Sequence, residues 1–267
     1  MIPVALAGAS GRMGRLLVEH CLVADDVKLV GALETAGSPE LGSDAGALVG
    51  RPCGVRIVSD VGAAVSAARV VIDFSTATAT AGVVRAASER GVACVVGTTG
   101  LAEDARAALE EASRRVPLLA APNMSLGVQV LGHLLREALK LLGEGYDVEI
   151  LEAHHRDKRD APSGTALRLV ELAAAARGLD PEGDVRHGRS GPSARRTRRE
   201  IGLHALRGGD IVGDHTVLLA GDGERLELVH RATSRSVFAA GALRAARWLV
   251  GKPPGRYTMA DVVGVPG

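Results

Sequence analysis

The densest concentration of chemically competent side chains is the run Glu152-Ala153-His154-His155-Arg156-Asp157-Lys158-Arg159-Asp160-Ala161-Pro162-Ser163-Gly164-Thr165-Ala166. Two adjacent histidines precede Lys158, and a Pro-Ser-Gly-Thr segment then opens a helix. Such a helix start offers free N–H groups and hydroxyls, a ready site for a carboxylate. Lys158 supplies a compact ammonium donor, and a histidine titrating near neutrality passes protons in either direction. Together His154, His155, Lys158, Ser163, Gly164 and Thr165 suit an anionic substrate that is protonated as it is reduced. A zinc site is the first alternative. It is disfavoured because neighbouring His154 and His155 point apart on a strand, with no HExxH and no paired cysteines beside them, so no metal is expected. A solvated charged loop over Arg156–Asp160 is the second, and the Ser-Gly-Thr helix start directly after it argues against that reading.

A different chemistry is suggested by Gly8-Ala9-Ser10-Gly11-Arg12-Met13-Gly14. This GxxGxxG spacing follows a strand and opens a helix, where backbone approaches a pyrophosphate and helix N–H groups point at it. Glycine triplets alone also describe a tight strand-to-helix turn. Glu34 adds context: at the end of the second strand, it can accept hydrogen bonds from adenosine ribose hydroxyls. Thr35 and Ala36 follow it, so the obvious cation for a 2′-phosphate is missing there. That leans toward NADH, with NADPH still open through Arg12. Asp73-Phe74-Ser75 and Gly97-Thr98-Thr99-Gly100 each close an apolar strand and open a polar turn, positions able to line the nicotinamide half of a cofactor.

The elements around these residues fix their placement. Apolar runs at 4–7, 27–33, 70–74, 93–96 and 117–120 alternate with helix-patterned stretches at 11–21, 80–90 and 102–114. Strand, helix, strand in this rhythm implies an α/β fold, a Rossmann-like doubly wound parallel sheet. Its ligand crevice would lie at the carboxyl ends of the strands, at the loops of Gly8, Glu34, Asp73, Gly97 and Ala121. After Asn123 the pattern changes to a helix at 128–142, a strand at 148–152, a helix opening near Ser163, and strands at 199–206, 214–220 and 225–232. These predict a second, α+β domain with a mixed or antiparallel sheet. A last apolar helix is expected at 238–249. Residues 178–199, rich in Gly, Pro, Arg and Ser, read as a long excursion or flexible arm.

The chain has 267 residues and 46% hydrophobic content, enough for two modest domains sharing a cleft. Lysine plus arginine (32) nearly cancel aspartate plus glutamate (31), so no global field calls for nucleic acid or a membrane surface. The basic run Arg195-Arg196-Thr197-Arg198-Arg199 lacks interleaved aromatics and reads as surface charge or a mobile arm. Cys21, Cys53 and Cys94 lie in apolar stretches without CxxC spacing, as buried thiols of a reducing compartment. The N-terminus lacks signal-peptide features and no run approaches the length of a membrane span, so a cytoplasmic protein is expected.

The motifs resemble those of the 4-hydroxy-tetrahydrodipicolinate reductase (dihydrodipicolinate reductase) family along essentially the whole chain. The segments that carry the resemblance are Gly8–Gly14, Gly97–Gly100, APNMSLGV from Ala121, EAHHRDKRDAPSGTA from Glu152, GLHALRGGDIVGDHTV from Gly202 and HRATSRSVFAAGALRAARWL from His230. The resemblance implies a dinucleotide-binding domain of residues 1–122 completed by 233–267, and a substrate-binding and oligomerisation domain of residues 123–232 that builds a homotetramer. It implies hydride delivery from NADH or NADPH to C4 of a cyclic imine, with loss of the 4-hydroxyl as water, in diaminopimelate and lysine biosynthesis. By the same resemblance, His154 is the acid/base and Lys158 the proton donor. His155, Ser163, Gly164 and Thr165 hold the substrate's two carboxylates. Gly8, Ala9, Ser10, Gly11, Arg12, Met13, Glu34, Gly97, Thr98, Thr99, Ala121, Pro122, Asn123 and Met124 are cofactor contacts. Two positions depart from the family pattern, Met124 where Phe is usual and Ala77 where Pro is common, and both bear on the cofactor side. The rival readings are a reductase of another small carboxylate and a nicotinamide-binding regulatory protein that has lost catalysis.

Overall fold

The computed structural model describes residues 1–192 and 194–265. The chain divides into two compact units, one formed by residues 1–125 with 235–267 and the other by residues 126–234.

The first unit opens with β1 (Ile2–Ala7), α1 (Arg12–Val23), β2 (Val27–Leu33), β3 (Ile57–Val58), α2 (Val61–Val65), β4 (Val70–Asp73), α3 (Thr80–Glu89), β5 (Ala93–Val96), α4 (Glu103–Ser113) and β6 (Pro117–Ala120). Every residue of β4 and β5 is buried, because a parallel sheet is covered on both faces and its strands read as continuous apolar runs. The second unit contains α5 (Leu126–Leu142), β7 (Asp147–His154), α6 (Gly164–Arg177), β8 (Val185–His187), β9 (Ile201–Arg207), β10 (Gly213–Ala220) and β11 (Arg225–Ala232). The chain then returns to the first unit through α7 (Ser236–Leu249), β12 (Gly255–Tyr257) and α8 (Met259–Val263).

The first sheet has the order β12-β6-β5-β4-β1-β2-β3, parallel at every pairing. The order reverses beside β1, between β2 and β4. That is the switch point of a doubly wound sheet, where strand carboxyl ends leave a crevice. α7 packs on α1 and against β4 and β5, so the C-terminal helix completes this unit's covering layer. The two-residue β3, the one-turn α2, β12 and α8 are too short to carry a periodic signal and were not legible in the sequence.

The second sheet has the order β11-β10-β7-β9-β8, antiparallel on the β11–β10–β7 side and parallel on the β7–β9–β8 side. Burial alternates strictly along β7 and β10, the signature of a sheet with one covered face. Ile150, Ile201, Val217 and Leu219 on that face pack with Leu131 and Leu135 of α5 and Leu169 of α6. Glu152 and His154 continue the buried parity of Ile150 past the end of this apolar layer.

Residues 178–199 depart from the expected arm. β8 adds an edge strand parallel to β9, and two arginines fasten the remainder. Arg189 pairs with Glu149 at 2.8 Å and with Glu200; Arg196 reaches Glu149 at 3.0 Å, Asp147 at 2.7 Å and the Glu200 carbonyl at 2.8 Å. Order here comes from half-buried charge pairing rather than apolar periodicity, which explains why the pattern did not reveal it. Arg195, Arg198 and Arg199 are exposed, as surface charge should be, whereas Arg196 is not. Ser193 within this segment and Pro266 and Gly267 at the C-terminus lie outside the described residues. All three cysteines are free; Cys21 and Cys94 are buried, which pushes both thiols up to about 12, but Cys53 is only half-buried, with its Sγ 3.5 Å from Asp44. No helix among the described residues is long and apolar enough to cross a membrane.

Candidate active site

In the first unit, the loops after β1, β2, β4, β5 and β6 all emerge at the carboxyl edge of the sheet. Gly8 takes φ +78°, and a Cβ there would meet the Phe74 carbonyl oxygen at 2.6 Å. A Cβ on Gly14 would lie 2.0 Å from the Gly8 carbonyl oxygen, so the first and third glycines of the triplet serve the turn itself. Gly11 is different: it is exposed, and a Cβ would meet only the Gly8 oxygen, at 3.3 Å. It is also the N-cap of α1, with no side chain capping the helix. The first amides of a helix have no partner within it, so this uncapped start is the anion-receptive end of the turn. The amides of Gly8 and Ala9 donate instead to the Leu33 carbonyl and are committed to the sheet.

Glu34 is joined directly to this turn. Its Oε1 accepts from both the backbone N–H and the hydroxyl of Ser10, each at 2.8 Å. Arg15, not singled out by the sequence, donates to the Ser10 carbonyl at 2.9 Å and pairs with Glu40, bracing the turn from outside. Arg12 is exposed. On the neighbouring loops, buried Asp73 accepts from Ser75 N–H at 2.9 Å and from the Thr80 hydroxyl at 2.7 Å. The Phe74 ring lies over Gly97, where a Cβ would come within 2.3 Å of it. Thr98 is half-buried and Thr99 exposed; Ala121 donates to Val96, Pro122 is exposed, and Asn123 accepts from Ser125 N–H at 2.8 Å. Met124 follows on the same loop. Its side chain is 1% exposed and fills the interior, with Gly241 of α7 pressed against its carbonyl. An extended cradle with an open glycine, an uncapped helix start and a carboxylate at the β2 end fits a dinucleotide.

The second unit gathers its polar side chains at the end of β7. His215 on β10 stands opposite Glu152 in the register, and Arg207 on β9 stands beside His154. Glu152 is buried. Its Oε2 accepts from His154 Nδ1 at 2.6 Å and from Arg207 at 2.8 Å; its Oε1 accepts from Arg207 at 2.8 Å and from Ser163 N–H at 3.0 Å. Burial opposes ionisation of Glu152, but Arg207 and His154 outweigh it and hold the carboxyl below its usual range. An ionised carboxylate only accepts, so Nδ1 of His154 carries the proton and Nε2 is the atom left to exchange one. Burial lowers the His154 pKa; Glu152 opposes that shift, while the Lys158 and Arg207 charges add to it. His215 sits edge-on to the His154 ring at 5.3 Å and is pushed down to about 4, mainly by burial and then by its histidine neighbours.

Lys158 lies on the loop between β7 and α6, with its Nζ 2.7 and 2.8 Å from the two oxygens of Asp160. The Ala161–Pro162 peptide that follows is cis. Ser163 caps α6, accepting from Ala166 N–H, and its hydroxyl is 3.2 Å from His215 Nε2. It is 3% exposed, so this hydroxyl, expected to face a ligand, is already engaged as a helix cap. Gly164 is exposed with nothing within 4 Å of a Cβ position, and Thr165 and His155 are half-buried.

Two family models divide the chain between them: one described as dihydrodipicolinate reductase, N-terminus, matches residues 2–124, and one described as dihydrodipicolinate reductase, C-terminus, matches residues 127–263. The chain belongs to the dihydrodipicolinate reductase family. Proteins named 4-hydroxy-tetrahydrodipicolinate reductase from Anaeromyxobacter dehalogenans, Thiobacillus denitrificans and Myxococcus xanthus are 51%, 50% and 49% identical to it, over 99–100% of this chain and 98–99% of theirs. Among solved structures, a dipicolinate-bound dihydrodipicolinate reductase from Paenisporosarcina sp. TG-14 has the same fold, with a TM-score of 0.76 over 98% of both chains at 22% identity.

Within this dihydrodipicolinate reductase framework, the structure joins Glu34 to the glycine turn and His154 to the Ser163 helix start, as the sequence suggested. It also brings in Glu152, Asp160, Arg207 and His215, none of which had been given a role. Glu152 was within reach, since a strand running into His154 puts residue 152 on the same face. Arg207 and His215 were not, because only the register of β7 against β9 and β10 places them there.

Proposed function

We propose that this protein reduces 4-hydroxy-tetrahydrodipicolinate to tetrahydrodipicolinate with loss of water, using a reduced nicotinamide dinucleotide, in diaminopimelate and lysine biosynthesis. The supporting observation is the buried Glu152–His154 pair set beside Lys158 and the α6 start, in a chain about half identical, end to end, to proteins bearing that enzyme's name. When bound, the cofactor supplies the hydride. The chain's own residues handle anions and protons. Gly164 and Thr165 at the start of α6, with His155, hold the substrate carboxylates, since helix-start amides and a hydroxyl are donors aimed at an anion. Ser163 keeps that helix start in shape by capping it. Lys158 carries the proton that the ring nitrogen takes up as negative charge develops there, and Nε2 of His154 exchanges a proton as acid or base.

The dinucleotide is assigned to the glycine turn from Gly8 to Met13, chiefly the open side of Gly11 and the start of α1, to Glu34, and to the loops at Gly97–Thr99 and Ala121–Met124. NADH is favoured because no cation follows Glu34, and Arg12 is the group through which NADPH would be accommodated. The homotetramer of the family reading is supported by apolar side chains left exposed on the second sheet, Leu206, Leu226 and Val229. A cytoplasmic setting is supported by three unpaired thiols.

The direct test follows absorbance at 340 nm with freshly generated hydroxy-tetrahydrodipicolinate, using NADH and NADPH in parallel at matched concentrations. Rapid loss with either supports the reading and ranks the cofactors; no loss with folded, cofactor-binding protein rejects it. Glu34→Ala should weaken NADH binding about 10- to 100-fold, the value of one or two charge-assisted hydrogen bonds, and leave dipicolinate binding unchanged. Calorimetric titration with each ligand separates the two effects, and an unaltered NADH Kd would remove Glu34 from the cofactor site.

A further inference from the structure

Arg207 holds a position that ion pairing alone does not explain. Replacing a buried salt bridge with well-packed apolar side chains is often neutral for stability, so such a pair is weak support for a purely structural role. Here the four bonds at Glu152 leave each carboxylate oxygen with two donors, and one of the four is the imidazole N–H of His154. The same Arg207 Nη2 that reaches Glu152 also donates to the Asp160 carbonyl at 2.6 Å. Asp160 in turn grips Lys158 through its carboxylate. A single planar guanidinium therefore ties together β7, which carries His154, and the loop that carries Lys158.

We propose that Arg207 and Glu152 are positioning residues for the proton-handling pair, with Glu152 fixing the tautomer and orientation of His154 and Arg207 locking both Glu152 and the Lys158 loop in place. The inference rests on the reading of His154 and Lys158 as the groups that move protons. Geometry supplies the need for each part. With Nδ1–H held by Glu152, the ring presents Nε2, and Gly213 leaves its approach open: a Cβ at residue 213 would lie 3.0 Å from that nitrogen. Arginine is required rather than lysine because three acceptors, both Glu152 oxygens and the Asp160 carbonyl, are met at once by a rigid fork. The remaining groups facing His154 are His215 from β10 and Lys158 from the loop, with His230 of β11 behind His215 at 6.5 Å between ring centroids. Among these neighbours Glu152 is the anion, so its removal leaves the imidazolium facing cations and neutral rings.

Two variants of the full-length protein test the proposal, each with a readout that does not require turnover. Glu152→Gln places an amide where Arg207 and Ser163 both donate, and Arg207→Lys keeps the charge but loses the fork. Thermal melts establish that each is folded. In the intact protein, ¹⁵N spectra of histidine-labelled samples should show His154 as the Nδ1–H tautomer above its pKa. In Glu152→Gln that preference should be lost and the His154 titration should move to lower pH by about one unit. In turnover assays, the limb of the kcat profile that belongs to His154 should move with it. At neutral pH, kcat should fall about 10- to 100-fold while KM stays within roughly threefold. Arg207→Lys should lower kcat about tenfold despite retaining its charge. Should Glu152→Gln not fold, Arg207→Lys gives the same readouts in weaker form: losing the fork on both Glu152 oxygens frees that carboxylate to turn from the ring, so the Nδ1–H preference should weaken and the His154 titration move to lower pH. Folded variants with an unchanged His154 tautomer, titration and pH profile would overturn the proposal. If instead the intact protein does not turn over the hydroxylated imine, the reaction assignment fails, while the ¹⁵N spectra still decide whether this pair sets the state of His154.

Discussion

Lys158→Ala should lower kcat about 10²- to 10³-fold while moving the KM for hydroxy-tetrahydrodipicolinate by no more than a few-fold, the pattern of an interaction made only as charge develops in the transition state. The side chain is placed for this. Its Nζ is held by both oxygens of Asp160, which restrains a long side chain that would otherwise sample many rotamers, and the side chain retains 20% of its exposure. Its charge also reaches His154, whose pKa it helps to lower, so the two groups share one electrostatic environment. Binding of the carboxylates is assigned elsewhere, to Gly164, Thr165 and His155, so losing the lysine should leave ground-state affinity largely intact. Lys158→Arg sharpens the test, because a guanidinium keeps the charge but does not give up a proton in the working pH range. A proton donor predicts that arginine fails to restore kcat. Recovery of kcat by arginine, or a KM effect with unchanged kcat in Lys158→Ala, would instead make residue 158 an anchor for a substrate carboxylate.

What the sequence revealed and what it hid divide along the range over which each signal acts. β2, β5 and β6 begin and end where their apolar runs do, because a strand buried in a sheet is written into consecutive residues. The Ser163 cap and the α6 start were equally local. Glu34 could be linked to the glycine turn because the sequence distance between them is set by one strand–helix–strand unit. Arg207 and His215 belong to the other category: each reaches Glu152 or Ser163 only through the pairing of β7 with its neighbours, and register is not encoded in spacing along the chain. The fastening of residues 178–199 by Arg189 and Arg196 failed for a similar reason, since a Gly- and Arg-rich segment looks the same whether or not a distant carboxylate such as Glu149 waits for it.

The glycine turn allows fold and function to be separated by one substitution at each of two positions. Gly14→Ala should lower Tm by roughly 3–10 °C, since the new methyl would overlap the Gly8 carbonyl oxygen at 2.0 Å and the Ala9 backbone at 2.6 Å, and overpacking against backbone costs about 1–3 kcal/mol or more. α1 cannot ease away from β1 without disturbing the Ser10 contacts to Glu34, so NADH binding should fall as well. Gly11→Ala makes the contrasting case. Its methyl meets only the Gly8 oxygen, at 3.3 Å, and points into the exposed mouth of the turn, so Tm should change by no more than about 2 °C while the NADH Kd rises. Differential scanning calorimetry and NADH titration on both variants read the two quantities independently. A stability loss at Gly14 with a purely binding loss at Gly11 assigns the third glycine to helix–strand packing and the second to the dinucleotide. If Gly11→Ala bound NADH normally, the pyrophosphate would have to lie away from the start of α1, and the anion-receptive role given to that helix would pass to another loop of the same edge.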